Sequence, residues 1–366
     1  MKAGVIGATG YAGAELVRLL LGHSKIDDLI LSSVSFEGGK IEEVYPNFIG
    51  RISAPLVKAD AVVSEADVVF SALPHGVGEQ FAKTCVEKGK PFIDMSADFR
   101  FGEDEAAFKK WYGKGYVYPE LRKYSIYGLP ELNRNRIVEQ GTGNLEARGG
   151  AVIIGNPGCY PTGASLGCFP ALAKGLAAGT IIVDAASGIS GGGREPSRQF
   201  HYPECADSVS PYKIGAHRHT PEICRNFAAM ASLEGRVSPP LVFTPHLAPM
   251  NRGILSTIYI PLTAEYAAAG NTEEKTSKLR GLYADFYKDE PFVRVLPPGV
   301  IAATNRVRNS NYCDISVHTD HSGSVLIIVS AIDNMVKGAA GQAVQNMTLI
   351  FGFDEKTALE SIPALF

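Results

Sequence analysis

The chain opens on a short apolar strand, a glycine-punctuated loop and a helical run, and this order constrains its fold more than anything that follows. Lys2–Ile6 leads into Gly7-Ala8-Thr9-Gly10-Tyr11-Ala12-Gly13, and Ala14–Leu20 then carries helical apolar spacing. Glycine permits positive φ and close backbone approach, and the helix N-terminus beyond it presents free N–H groups and a positive dipole end. The spacing is G-x-x-G-x-x-G rather than G-x-G-x-x-G, so the expectation of a dinucleotide pyrophosphate rests on the strand before and the helix after. A tight strand-to-helix turn without a ligand is the structural alternative. Further buried strands are expected at 29–33, 66–72 and 90–94, with a crossover helix at 78–88 between the last two. That alternation predicts a parallel, doubly wound α/β sheet.

From about Asn156 the texture changes. β-rich runs at 180–185, 241–244 and 253–261 alternate with helical stretches, which predicts a second α/β domain with a mixed sheet. The expected division is a dinucleotide-binding domain at 1–155 and 330–366 and a catalytic and oligomerisation domain at 156–329. A surface turn is expected at 141–150. The last helix is expected over 334–351, where the small residues in Lys337-Gly338-Ala339-Ala340-Gly341 suit close approach to another backbone or a ligand.

Length and composition exclude several classes. A chain of 366 residues with 45% hydrophobic and 20% charged residues is long enough for two ordinary globular domains. A net charge of -3 gives no basic field for nucleic acid or a membrane surface. Six cysteines without close pairing do not form a zinc or disulfide framework, so no metal is expected. No signal-like h-region and no run of transmembrane length occur, so a cytoplasmic enzyme is expected.

Chemistry concentrates in a few segments. Asn156-Pro157-Gly158-Cys159-Tyr160-Pro161-Thr162-Gly163 sets a cysteine between turn formers and a helix expected to begin near Thr162. A thiol at a helix N-terminus tends toward the thiolate, so Cys159 is the candidate nucleophile; burial as a small hydrophobe is the alternative. Ala216-His217-Arg218-His219-Thr220-Pro221 supplies imidazoles for acid–base work, His219 preferred and His217 close behind. Arg100, Arg194 and Arg218, each beside a glycine-rich, strand-end or catalytic-looking loop, are candidate forks for phosphate or carboxylate. The second strand ends Leu31-Ser32-Ser33-Val34-Ser35 without the acid that favours NAD. Its hydroxyls and Lys40 therefore point to NADP, although Glu37 is close by.

The segments GATGYAG at Gly7, SALPHG at Ser71, NPGCYPTG at Asn156, AHRHTPEI at Ala216, FTPHLAPMNRGI at Phe243 and DNMVKGAAGQAVQN at Asp333 span nearly the whole chain. Together they resemble the N-acetyl-gamma-glutamyl-phosphate reductase family, in the aspartate-semialdehyde dehydrogenase-like group. The resemblance implies attack of Cys159 on an acyl phosphate, loss of phosphate and reduction of the thioester by NADPH, with His219 managing protons. It also implies cofactor contacts from Gly7, Thr9, Gly10, Tyr11, Ala12, Gly13, Ser33 and Ser35, with Ser71, Pro74 and His75 bordering the cofactor and Asn334 near the nicotinamide. Arg100 would meet substrate phosphate, with Asn156, Arg194 and Arg218 on the substrate side. The second domain would be inserted, the C-terminal helix would return to the first, and the chain would form a homodimer or homotetramer. Relatives often carry arginine where this chain has Val34. A reductase of aspartyl or carrier-linked aminoadipyl phosphate would share cysteine and cofactor, and a nucleotide-sensing protein without turnover would keep the cofactor alone.

Overall fold

Two units make up the computed structural model, one of Met1–Gly158 with Ala339–Glu360 and one of Cys159–Gly338 with the residues from Ser361. The structure describes residues 1–141, 150–267 and 271–365. The turn expected at 141–150 lies, at 142–149, outside the described residues.

In the first unit seven strands form one sheet: β1 (Lys2–Ile6), β2 (Asp28–Ser32), β3 (Leu56–Val57), β4 (Val68–Ser71), β5 (Phe92–Asp94), β6 (Ser125–Tyr127) and β7 (Ile153–Gly155). Their order is β3-β2-β1-β4-β5-β7-β6, and every pairing is parallel. β4 and β5 are buried along their whole length, as strands covered on both faces must be, which is why they read as continuous apolar runs. The strand order reverses between β1 and β4, so the crevice beyond their carboxyl ends is the place where such sheets take ligands.

The loop leaving β1 is shaped by sterics. Gly7 sits at φ +86°, and a Cβ there would lie 2.7 Å from the Ala72 carbonyl oxygen. A Cβ on Gly13 would lie 2.1 Å from the Gly7 carbonyl oxygen. The helix that follows starts at Tyr11 with Gly10 as N-cap, a turn earlier than its apolar spacing suggests. The Gly341–Ile350 helix belongs to this unit, packs on the Tyr11–Leu20 and Pro130–Gln140 helices and is buried throughout. The single helix expected over 334–351 is instead π-helical at Val336–Ala340 and α-helical only from Gly341. The Asp333 carboxylate accepts from the Met335 and Val336 amides, and the Asp333 carbonyl accepts from Gly338 N–H, five residues on.

The second unit is built on β8 (Ile181–Ser187), β9 (Ser210–Pro211), β10 (Leu241–Leu247), β11 (Ile254–Pro261), β12 (Val293–Val295), β13 (Cys313–Thr319) and β14 (Val325–Ile332). Their order is β12-β13-β14-β11-β8-β10-β9. The sheet is mixed: β8 runs parallel to β10 and antiparallel to β11. The Cys159–Ala173 helix packs on β11 and β14 and is buried at every residue after the first. Pro170 within it lacks the N–H that the Leu166 carbonyl would accept, and the Tyr287 hydroxyl donates to that carbonyl instead. Across the sheet, Tyr259, Ile182 and Val242 stand in register on β11, β8 and β10, all exposed.

Because Gly13 meets backbone and Gly10 does not, Gly13→Ala is expected to cost about 1–3 kcal/mol in chemical denaturation. Gly10→Ala is expected to cost under about 1 kcal/mol. Equal losses would show that the steric reading of this loop is wrong.

Candidate active site

Cys159 is the first residue of its helix, three residues earlier than the sequence pattern suggested, and is partly exposed. The thiol therefore stands at the positive end of a fifteen-residue helix whose remaining residues are buried. Gly338 lies against it: a Cβ on Gly338 would come 2.8 Å from the Cys159 Cβ, so only glycine leaves the cysteine room. The small residues in this segment thus do permit a close approach. None of the six cysteines is in a disulfide. Cys85 and Cys168 are buried, and burial pushes the Cys85 thiol up to about 12.

Cys159 opens on a cavity of about 280 Å³ whose lining includes His217, Arg218, His219, Tyr212 and Gly191. The two histidines are physically unlike. His217 is 5% exposed, and its Nδ1 accepts the His219 backbone N–H at 3.1 Å. Burial, helped by the Lys213 and Arg218 charges, pushes its pKa down to about 4, so it is neutral near pH 7 with one ring nitrogen already engaged. His219 is less buried, stands at the N-terminus of the Thr220–Ser232 helix and lies with its ring centroid 4.9 Å from that of His217. Tyr160 packs edge-on against both rings, and Tyr212 and Phe243 pack against His217. The Tyr212 hydroxyl donates to that of Tyr160 at 3.1 Å, and Tyr160 in turn to the His246 carbonyl at 3.4 Å.

The arginines separate. Arg218 lines the cavity, whereas Arg194 is exposed two residues beyond Gly192 and is not among the lining residues. Asn334 is buried; its Oδ1 accepts from Gly253 N–H at 2.7 Å and its Nδ2 donates to Ser190 Oγ at 3.1 Å. It thereby fixes the loop that brings Gly191 and Gly192 to the cavity.

In the first unit, Gly10 is the loop glycine that packing does not demand: a Cβ there would meet nothing closer than the Gly7 carbonyl oxygen at 3.6 Å. Its bare backbone at a helix N-terminus suits a pyrophosphate. Thr9 Oγ1 and Ser33 Oγ are 2.7 Å apart and buried, while Tyr11, Val34, Ser35 and Lys40 are exposed. Glu37 has a cationic neighbour, Lys58 Nζ at 4.0 Å, which offsets its charge beside the end of β2. Ser71 is buried at the end of β4; beyond it Pro74 is exposed, and His75 Nδ1 accepts from Ala97 N–H at 2.9 Å. Arg100 is 5% exposed, with Nε on the Asn156 carbonyl at 2.7 Å and a guanidinium nitrogen on that of Met95 at 2.9 Å. Asn156 is buried too, its Nδ2 on the Ala339 carbonyl at 3.0 Å.

Sequence reasoning missed Tyr160, Tyr212, Lys213 and Lys58. Tyr160 follows the cysteine directly, a signal that was available. Lys58 reaches the end of β2 only because β3 pairs with it.

Both units match semialdehyde dehydrogenase domains. Residues 2–140 match the family described as semialdehyde dehydrogenase, NAD binding domain, and residues 159–334 match semialdehyde dehydrogenase, dimerisation domain. Among solved structures, aspartate semialdehyde dehydrogenase II of Vibrio cholerae complexed with ASA aligns with a TM-score of 0.69 at 16% identity, over 95% of this chain and 97% of that one. The Candida albicans aspartate semialdehyde dehydrogenase with NADP gives 0.67 at 19% identity, over 95% and 98%. Closer in sequence are proteins named N-acetyl-gamma-glutamyl-phosphate reductase: those of Clostridium beijerinckii at 48% identity and Clostridium kluyveri at 46%, each over 100% of both chains. The one from Brachyspira hyodysenteriae is 47% identical over 100% of both. The chain belongs to the N-acetyl-gamma-glutamyl-phosphate reductase family. Among the described residues no helix is long and apolar enough to cross a membrane, and no group of three or more His, Cys, Asp or Glu could hold a metal ion.

The depressed His217 pKa has a stability consequence. Between the ordinary histidine value and about 4, the unfolded chain binds a proton that the folded chain refuses, so stability falls as pH drops through that window. The contribution amounts to at most roughly 3 kcal/mol. Urea unfolding of His217→Gln across this range should show a shallower acid loss than the parent, and an unchanged slope would contradict the assignment.

Proposed function

We propose that this chain reduces N-acetyl-L-glutamyl 5-phosphate to N-acetyl-L-glutamate 5-semialdehyde, with NADPH as reductant and phosphate as leaving group, in arginine biosynthesis. The observation that carries the reading is Cys159, partly exposed at the head of a buried helix beside His217 and His219, in a chain 46–48% identical to reductases of that name over its whole length.

Cys159 sulfur attacks the acyl carbon, the carbon–oxygen bond to phosphate breaks, and a thioester to Cys159 remains. NADPH, when bound, supplies a hydride to the thioester carbonyl carbon. The carbon–sulfur bond then breaks, leaving aldehyde and thiolate. An acyl phosphate suits this sequence because phosphate leaves readily, whereas a free carboxylate does not.

His219 is the base that takes the thiol proton and later returns one. Supporting this, His217 has its Nδ1 on the His219 backbone and its pKa pushed down, which fits a ring that holds His219 in place. Arg218 suits an anionic substrate group from the cavity wall. Arg194, exposed nearby, is a second substrate contact, and Arg100 acts through the Asn156 loop whose carbonyl it binds. On the cofactor side, Gly7, Gly10 and Gly13 receive the pyrophosphate, with Thr9, Tyr11 and Ala12 in the same loop. Ser33, Ser35, Lys40 and Lys58 border the 2′-phosphate that distinguishes NADP, and Ser71, Pro74 and His75 line the rest.

The active form is a homodimer or homotetramer of a cytoplasmic enzyme. In support, 159–334 matches a dimerisation domain, and the exposed row Tyr259, Ile182 and Val242 gives the second sheet an apolar face for a second copy.

Cys159→Ala should lower turnover by several decades while NADPH affinity stays within about twofold. Substantial residual turnover would exclude the thioester route. His219→Asn should slow turnover by roughly 10²–10⁴. If His217→Asn is the more damaging change and His219→Asn costs less than about tenfold, the two roles are exchanged. The substrate is tested by phosphate-dependent reduction of NADP with N-acetylglutamate semialdehyde against aspartate semialdehyde. Preference for the second would keep the chemistry and overturn the substrate.

A further inference from the structure

Behind the Ser71–Gly78 turn, two carboxylates are sealed from water. Asp94 ends β5 and Asp98 lies four residues on; both are 0% exposed, as is Ser71 at the end of β4. Asp98 is well provided for: the Gly76 N–H reaches both its oxygens at 2.8 Å. Ser96 links the two acids, accepting from Asp98 N–H at 3.1 Å and donating to Asp94 Oδ2 at 2.6 Å. Asp94 Oδ1 receives no hydrogen bond, and neither does the buried Ser71 Oγ. These two atoms converge on Gly78: a Cβ there would stand 3.2 Å from Ser71 Oγ, 3.3 Å from Asp94 Oδ1 and 3.8 Å from Asp98 Oδ2.

Ser71 carries its own hydroxyl proton, but the two carboxylate oxygens gathered beside it have none to share, and no donor reaches Asp94 Oδ1. An ionised Asp94 would leave a charged oxygen buried without a donor beside a second negative group. We propose that Asp94 is a positioning residue that works as its neutral acid, one proton being held between Asp94 and Asp98, and that this pair fixes the His75–Gly78 turn where the nicotinamide dinucleotide binds.

Protonated, Asp94 becomes a donor among those acceptors, while Asp98 keeps its charge for the Gly76 amide. The turn is then gripped twice, by Asp98 at Gly76 and by the Ala97 amide at His75. The surrounding charges agree. Arg100, on the strand-end side, directs its guanidinium to the Asn156 and Met95 carbonyls. Arg122 is paired with the buried Glu79 at 3.1 Å, and Lys114 reaches the His75 carbonyl at 3.4 Å. Burial first, and then the Asp98 charge, raise the pKa of Asp94, against Ser96 and Arg100, which lower it. Burial raises Asp98 too, with Glu79, while the Gly76 amide, Ser96 and Arg122 oppose. A raised carboxyl pKa places the stabilised state on the acid side, so the grip is complete at low pH and is lost as pH rises through the pair's titration.

The proposal rests on the cofactor reading given above, and the test separates the two. NADPH affinity of the purified enzyme is measured by fluorescence titration from about pH 6 to about pH 9. The parent should weaken about tenfold across the pair's titration. Asp94→Asn, neutral at every pH and still a donor, should hold its affinity across that range, whereas Asp94→Ala should be weak throughout. Infrared spectra of the parent near neutral pH should show a neutral-carboxyl band that Asp94→Asn lacks. A parent profile without slope, an Asp94→Asn profile as steep as the parent's, or the absence of that band would overturn the proposal alone. A parent that binds no NADPH at any pH would overturn the cofactor reading and the turn's role together.

Discussion

The position of Cys159 is set by the residues behind it. From Tyr160 to Ala173 its helix is buried on every side, packed on β11 and β14. A helix apolar all round can rest only inside a core, so its first residue cannot shift without disturbing the whole second unit. The contact at its head is as exacting, because Gly338 leaves no space for even a methyl group against the cysteine Cβ. The π-helical turn at Val336–Ala340 is held by the Asp333 carboxylate and carbonyl. The thiol is thus held in place at a helix dipole's positive end, on a rigid support, in a cavity it shares with two imidazoles.

Backbone fit and ligand fit are divided among neighbouring glycines in the first unit. Gly7 and Gly13 are demanded by carbonyl oxygens within the protein, whereas Gly10 has room for a side chain and lacks one. Geometry thus distinguishes glycines that fold the loop from the glycine whose bareness serves whatever sits outside it, a distinction that the spacing of the motif does not contain.

Proton placement follows burial in both units. His217 is kept neutral by burial and by the cations Lys213 and Arg218, and Asp94 is driven toward neutrality by burial and by Asp98. In each case burial and a neighbouring charge work against the charged form of the group.

Much of this was legible in the residues themselves. The parallel sheet and the mixed second sheet follow from periodicity, and Cys159 and the two histidines stand out as candidates by residue types whose chemistry is local: glycine allows a turn, a thiol can attack, imidazole can take a proton. What the sequence could not contain is which neighbours arrive from far along the chain. His217 and His219 read alike until burial and one backbone hydrogen bond separate them. Arg100 reads as a phosphate fork, yet its guanidinium is found on the Asn156 and Met95 carbonyls. Lys58 offsets Glu37 only through strand pairing, and nothing in the spacing of Asp94 and Asp98 tells that both are buried together with Ser71 around Gly78. Sequence determined the candidate groups and the layered fold, since both depend on side-chain type and spacing. Tertiary structure decided their protonation and their partners, because both depend on the distance from water and from charges that folding alone brings near.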